Sequence, residues 1–478
     1  MPTPPPDNHS HTDSNADDKC DSCGKSVVVV IDFYALNDLH GRFCDSDNQP
    51  GVDELATYLK NRKQKDDNVI LLSSGDMWQG AAESNLTNGK ILTEWMNAMG
   101  FVSMTLGNHE FDWGEDAIRD NYDVADFPLL AINVYDRDTG KRVDYCKPSV
   151  VVERDGIQIG IIGAVGDCYS SISSDRVEDV EFKVGSQLTS LVKAEANRLR
   201  DQGVDIIVYA IHDGHGSSTS GSISNSKLDD YYDPSLSDGY IDLSFEAHSH
   251  KSYVLVDSNG VYHLQGGGEN KGISHVEISF NTATEVTTVT TAEIVKSSVY
   301  SQYGDDPETE ALEQKYSDVI DMAYKTVGKI SSKLSSSRIC DIVSQLYLEA
   351  GLERWGSRYD IVLGGGYLNT RSPYDLPAGQ VSYSDLLSLL PFDNQLVLCK
   401  ISGKNLKNRF INSDYDKTYS DYGNSVKNSI SNSATYYVVV DMYTAVYSPN
   451  KLTIVDYYDE GVYARDLLAE AIRSGRFS

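Results

Sequence analysis

The stretch VVVVIDFYAL (27–36) runs directly into NDLHG (37–41), and that junction decides how the chain reads. The first part is apolar except for Asp32 and rich in β-branched side chains, which predicts a buried strand. The second part places Asp38 and His40 at the strand's carboxyl end. Downstream, Val52, Leu55, Ala56 and Leu59 recur at helical spacing and lead into a second strand, NVILLSS (68–74). ILTEWMNAMG and VSMTL form another helix and strand pair. Leu188, Leu191, Val192, Ala196 and Leu199 then share one helical face before VDIIVYA (204–210), and YIDLSFEA (240–247) reads as a further strand. Strands alternating with helices predict an α/β fold.

The strands share one property: each ends in Asp, Asn or His. Asp38 and His40 follow the first, Asp76 the second, Asn108 and His109 the third, His212 the next, and His248 and His250 the last. In open α/β sheets ligands bind outside the carboxyl ends of strands, so these ends are expected to converge on one site. Singly, each has an ordinary explanation. Asp76 would serve as a helix N-cap, Asn108 as a turn residue and His212 as a satisfied core histidine. Jointly, Asp38, His40, Asp76, Asn108, His212, His248 and His250 form a carboxylate, imidazole and amide donor set suited to divalent transition metals. Seven donors exceed one ion's needs and fit two ions about 3.5 to 4 Å apart sharing a carboxylate.

The chain has 478 residues, enough for two or three domains at roughly 150 residues each. With 41 basic against 71 acidic residues the net charge is −30, which excludes a coat for duplex nucleic acid but not a small anion held by metal ions. The sequence contains no apolar run long enough for a transmembrane segment. Residues 1–26 are almost devoid of large apolar side chains and are expected to be a disordered leader; a leader before a folded enzyme suggests an extracytoplasmic protein, secreted, periplasmic or on the cell surface. Seven cysteines, with one CxxC pair at Cys20 and Cys23, show no disulfide framework. The charged segment 301–329 reads as a linker helix. Beyond it, 330–478 reads as a second α/β unit, after a first spanning 27–300.

NDLHG (37–41), SGDMWQG (74–80), GNHEFDWG (107–114), IHDGHG (211–216) and AHSH (247–250) resemble the motifs of calcineurin-like metallophosphoesterases, and within them the 5′-nucleotidase family. The resemblance extends over nearly all of 27–478. It implies a four-layer αββα catalytic domain, a smaller C-terminal substrate-binding domain and two divalent metal ions, drawn from manganese, zinc, iron or cobalt. It assigns Asp38, His40, Asp76 and His250 to one ion, and Asp76, Asn108, His212 and His248 to the other. It makes His109 and Asp112 the catalytic pair, in which the carboxylate supports the imidazole's charge. The alternative for that pair is a further metal ligand at His109 and a helix cap at Asp112. Two departures stand out: Ala247 replaces the usual glycine before HSH, and IHDGHG carries His215 as a competitor to His212.

In the C-terminal part, LGGGYLNTRSPYDLPAG (363–379) and the following PFDNQL resemble the family's Gly-rich, arginine-bearing loop and its PFGN segment. The match carries Arg371 over as the phosphate-holding group, suited by its guanidinium fork, although the link to the glycines is two residues longer. Tyr443, in TYYVVVDMYTA (435–445), takes the place of one base-stacking aromatic; Tyr419 and Tyr422 are candidates for the other. The family's GGDGY is missing. The resemblance therefore implies a 5′-nucleotidase acting on small nucleotides. Its alternatives are a 2′,3′-cyclic-nucleotide phosphodiesterase with 3′-nucleotidase activity, a nucleotide-sugar pyrophosphatase, or, from another class, a surface binding protein that has lost turnover.

Overall fold

The computed structural model describes residues 12–14, 18–22, 26–45, 50–228, 231–366, 375–411, 419–421, 429–446, 451–459 and 461–477. Two sheets dominate the N-terminal part. In the first, Val28–Leu36 lies at the centre, parallel to Val69–Ser73 on one side and antiparallel to Gly272–Asn281 on the other. Ser103–Thr105 and Leu129–Leu130 extend the parallel side, and Val286–Lys296 closes the opposite edge. The second sheet has seven strands. Ile206–His212 lies in it between Ile157–Val165 and Leu243–Phe245, parallel to both.

The sheets face each other through Ile31, Phe33, Ile70, Leu72, Ile159, Ile161, Val208, Phe245 and Ile278, all essentially fully buried. Strands apolar on both faces need cover on both. Helices Asp53–Lys63 and Lys90–Met99 cover the outside of the first sheet with Leu55, Leu59, Trp95 and Met96. Helix Ser186–Asp201 covers the second with Leu188, Val192, Ala196 and Leu199, the face expected from its spacing. The result is the four-layer αββα arrangement.

Two findings refine the sequence reading. Where one linker helix is expected, two stand, Pro307–Lys315 and Ser317–Tyr324, before a strand at Thr326–Ile330. The first is capped by Asp306, whose carboxylate accepts from the amides of Glu308 and Thr309 and pairs with Lys60 at 2.7 Å. The leader is also not wholly without structure: Lys19 bridges Ser26 and Cys20 is buried.

The C-terminal part is a five-stranded mixed sheet centred on Thr435–Asp441, with Ile361–Gly365 and Leu396–Ser402 beside it. Helices Ser336–Trp355 and Ala464–Arg473 cover one face. Among the described residues no helix is long and apolar enough to cross a membrane.

Candidate active site

The parallel strands of both sheets end on the same side, and their first residues beyond the ladder turn sharply. Asp38, His40, Asp76, His248 and His250 all have left-handed backbone, with φ between 49° and 64°. That conformation is costly for residues with a Cβ and persists where surrounding structure holds it. The holding bonds are visible. The amides of Asp38 and His40 donate to the carbonyls of Gly75 and Asp76, and the amide of His248 donates to the Asp38 carboxylate at 3.0 Å. Glycine is required at Gly107, where a Cβ would lie 2.3 Å from Asp76 Oδ1.

Glu110 is the residue that sequence reasoning missed here. Its carboxylate, fully buried, accepts from the amides of Asp76 at 2.9 Å, Met77 at 2.9 Å, Trp78 at 3.3 Å and Gly107 at 2.7 Å. It thus ties the loop bearing Asp76 to the loop bearing Asn108. The signal was present, since GNHE places a carboxylate one residue after His109 with no solvent role for it.

Among the described residues, three groups of side chains come close enough to hold a metal ion: Asp38, His40 and His250; Asp38, Asp76 and His212; and Cys168, His212 and His248. The first two contain five of the seven expected ligands, with Asp38 shared between them. A sixth, Asn108, presents Oδ1 3.0 Å from His248 Nδ1. The imidazoles are oriented from behind: His40 Nδ1 donates to the Gln79 carbonyl at 2.9 Å and His212 Nδ1 to the Ser74 carbonyl at 2.8 Å, which turns both Nε2 atoms inward. Inside, His40 Nε2 and His250 Nε2 are 2.9 Å apart, and His212 Nε2 stands 3.0 Å from Asp76 Oδ2. Asp76 Oδ2 and His212 Nε2 are both buried and have no hydrogen-bond partner beyond facing each other. Converging, oriented lone pairs of this kind fit divalent cations. Of the two histidines of IHDGHG, His212 joins the cluster while His215 packs on Tyr253 and meets Ser217. Cys168, which carried no sequence signal, approaches from below, its thiol pushed well up by burial.

The electrostatics follow from burial and proximity. Burial opposes charge on both Asp76 and His212, yet each compensates the other: the carboxyl is held well below its usual range and the imidazole is raised to about 10. His248 is pushed down to about 4 by burial and by His212.

His109 lies at the cluster's edge. Its backbone amide donates to Asp76 Oδ1 at 2.9 Å, and its Nδ1 pairs with Asp112 Oδ2 at 2.7 Å. Both residues line a cavity of about 330 Å³ together with Asn108 and His248 on one side and Phe392, Asp441 and Tyr443 on the other. Tyr443 sits on the short helix Met442–Val446. Phe392, from PFDNQL, is 38% exposed and stacks on the His109 ring, with centroids 6.0 Å apart. Arg176 also lines this space, donating to the Asp393 carbonyl at 3.0 Å; nothing in its sequence context marks it. Arg371 and Tyr422 lie outside the described residues, and of Tyr419 only its strand, Tyr419–Asp421, is described.

Comparison with known proteins gives the family and agrees with the fold. Residues 31–252 match the model of the calcineurin-like phosphoesterases, and residues 322–451 match that of the 5′-nucleotidase C-terminal domain. The chain is 28% identical to Protein UshA of Yersinia enterocolitica over 436 residues, covering 80% of this chain and 76% of that protein. It is 23% identical to a 5′-nucleotidase of Vibrio parahaemolyticus, covering 77% of this chain and 72% of that one. Among solved structures, a 5′-nucleotidase precursor from Thermus thermophilus superposes with a TM-score of 0.68 at 19% identity, over 93% of this chain and 96% of that one.

Proposed function

The chain belongs to the 5′-nucleotidase family of calcineurin-like metallophosphoesterases, metal-dependent phosphoric ester hydrolases, and we propose that it is a dinuclear-metal 5′-nucleotidase releasing phosphate from small nucleotides. One observation carries the reading: a single cavity has Asn108 and His248 of the expected ligand set and the His109–Asp112 pair on one wall and the rings of Phe392 and Tyr443 on the other. A phosphate at the first wall leaves its nucleoside within reach of the second.

In this proposal one ion is held by Asp38, His40, Asp76 and His250, and the other by Asp76, Asn108, His212 and His248. The ions would be manganese, zinc, iron or cobalt, and would supply Lewis acidity at the phosphoryl oxygens and an acidified water. The protein's own residues do the rest. Asp112 accepts from His109 Nδ1–H and supports the charged imidazolium, whose Nε2–H serves the departing ester oxygen as a proton donor. Tyr443 and Phe392 offer π-faces to the base, a recognition that tolerates any base. Arg371 is assigned the substrate phosphate. The unit boundaries 27–300, 301–329 and 330–478 belong to the same proposal.

Hydrolysis of AMP, 2′,3′-cyclic AMP and UDP-glucose by Mn²⁺-reconstituted protein, with inorganic phosphate and the nucleotide products followed separately, tests it. Fast release from AMP is expected. Cleavage of the cyclic or sugar nucleotide in preference to AMP would replace the 5′-nucleotidase reading with one of its alternatives.

A further inference from the structure

Behind the turn that carries His248 and His250 lies a buried polar cluster to which the chemistry above gives no part. His263 is fully buried between two carboxylates: Nδ1 is 2.7 Å from Glu246 Oε1 and Nε2 is 3.4 Å from Asp257 Oδ2. Burial alone would lower this imidazole, but the carboxylates raise it to about 9. Burying three ionisable groups is a poor way to gain stability, because desolvation consumes most of the Coulombic return.

The cluster's far end shows what it is attached to. Glu246 Oε2 accepts from the Tyr253 hydroxyl at 2.6 Å. That hydroxyl accepts in turn from Gln265 Nε2 at 3.0 Å and from the His215 amide at 2.9 Å. Gln265 Nε2 also donates to Ser249 Oγ at 2.9 Å, and Gln265 Oε1 accepts from the Lys251 amide at 3.1 Å. Ser249 Oγ completes the chain by donating to the His215 carbonyl at 2.7 Å. Gln265 therefore uses both amide hydrogens and its carbonyl oxygen on two neighbours of the turn and on Tyr253. Ser249 is the residue between His248 and His250, whose φ values are 64° and 54°. Such a turn is held open only by bonds from outside it.

We infer that Glu246, His263 and Asp257, acting through Tyr253 and Gln265, are positioning residues that fix the His248–Ser249–His250 turn in its metal-binding form. The inference rests on the ligand assignment proposed above. It also gives a reason for a charged residue at Glu246, just before Ala247, on the last turn of chain leading to His248.

The test is Tyr253→Phe in the full chain, which deletes the one oxygen linking Glu246 to Gln265 and keeps the ring. Mn²⁺ affinity of metal-stripped protein, kcat and KM for AMP, and thermal midpoint are measured together. The expected result is Mn²⁺ binding weakened by about 10- to 100-fold, with kcat restored by saturating Mn²⁺ and KM unchanged. Wild-type Mn²⁺ affinity with only a lower thermal midpoint would overturn the inference and leave the cluster a packing feature. Ser249→Ala, which cuts the same chain at the turn itself, is expected to weaken Mn²⁺ binding likewise and decides the matter if Tyr253→Phe does not fold. Wild-type protein that binds no Mn²⁺ would overturn the ligand assignment as well, whereas variants that match a Mn²⁺-binding wild type overturn this inference alone.

Discussion

The two walls of the cavity are built on different terms. Behind the wall made by the αββα sandwich, five of the seven expected ligands have strained backbone, and Glu110 alone accepts four amides from the loops beneath them. On the opposite wall, Phe392 is 38% exposed and Tyr443 stands on a five-residue helix. The contrast follows from what each wall must do. Ligands and a proton donor have to be placed within about half an ångström, which demands over-determined backbone. A ring that stacks on a base works over a range of positions.

This contrast yields a ranked set of expectations. The largest effect is at the carboxylate that the proposal assigns to both ions: Asp76→Asn should cost at least about 10³-fold in kcat and lower the metal bound per chain, measured by elemental analysis beside steady-state kinetics. Next is His109→Ala, expected to lose roughly 10²- to 10⁴-fold in kcat with metal content unchanged; a loss of metal would make His109 a ligand instead. On the other wall, Tyr443→Ala should raise KM for AMP by about 5- to 100-fold. It should leave p-nitrophenyl phosphate hydrolysis alone, because that substrate has no base to stack. Equal loss on both substrates would erase the distinction between the walls.

The smallest expectation concerns stability. Burial raises the Asp441 carboxyl to about 6 despite the bond it accepts from the Thr444 amide. A carboxyl raised by folding favours its protonated form, so this contribution is present at low pH and is lost as pH climbs from about 4 through 6. Asp441→Asn should therefore gain about 3 kcal/mol over wild type at pH 8 and nothing near pH 4, read from denaturant unfolding at the two values. No pH dependence in that difference would place the carboxyl in a more solvated setting.

The difference between the walls also explains what could be read from sequence. NDLHG, GD, GNHE and HSH are short motifs in which ligand and strand end are adjacent in the chain, so the α/β alternation and the convergence of Asp38, Asp76 and His212 were legible from local pattern, while the αββα layering came from the family resemblance those motifs carry. Glu110, Cys168 and the Asp257–His263–Glu246 cluster were not read, because the partners that give them meaning lie 34, 44 and 17 residues away. Phe392 and Arg176 reach the cavity only because two separately folded sheets come together around it. The break between helices Pro307–Lys315 and Ser317–Tyr324 was hidden for a related reason, since both halves carry helix-favouring residues and only Tyr316 leaves the helical path.

The most direct test of the central claim is a titration of metal-stripped protein with Mn²⁺ in which bound metal and phosphate release from AMP are followed in the same samples. The account predicts saturation at two ions per chain, with turnover appearing as the second site fills and His109→Ala binding the same two ions without that turnover. Saturation at one ion or none, or AMP hydrolysis by the stripped protein, would contradict it.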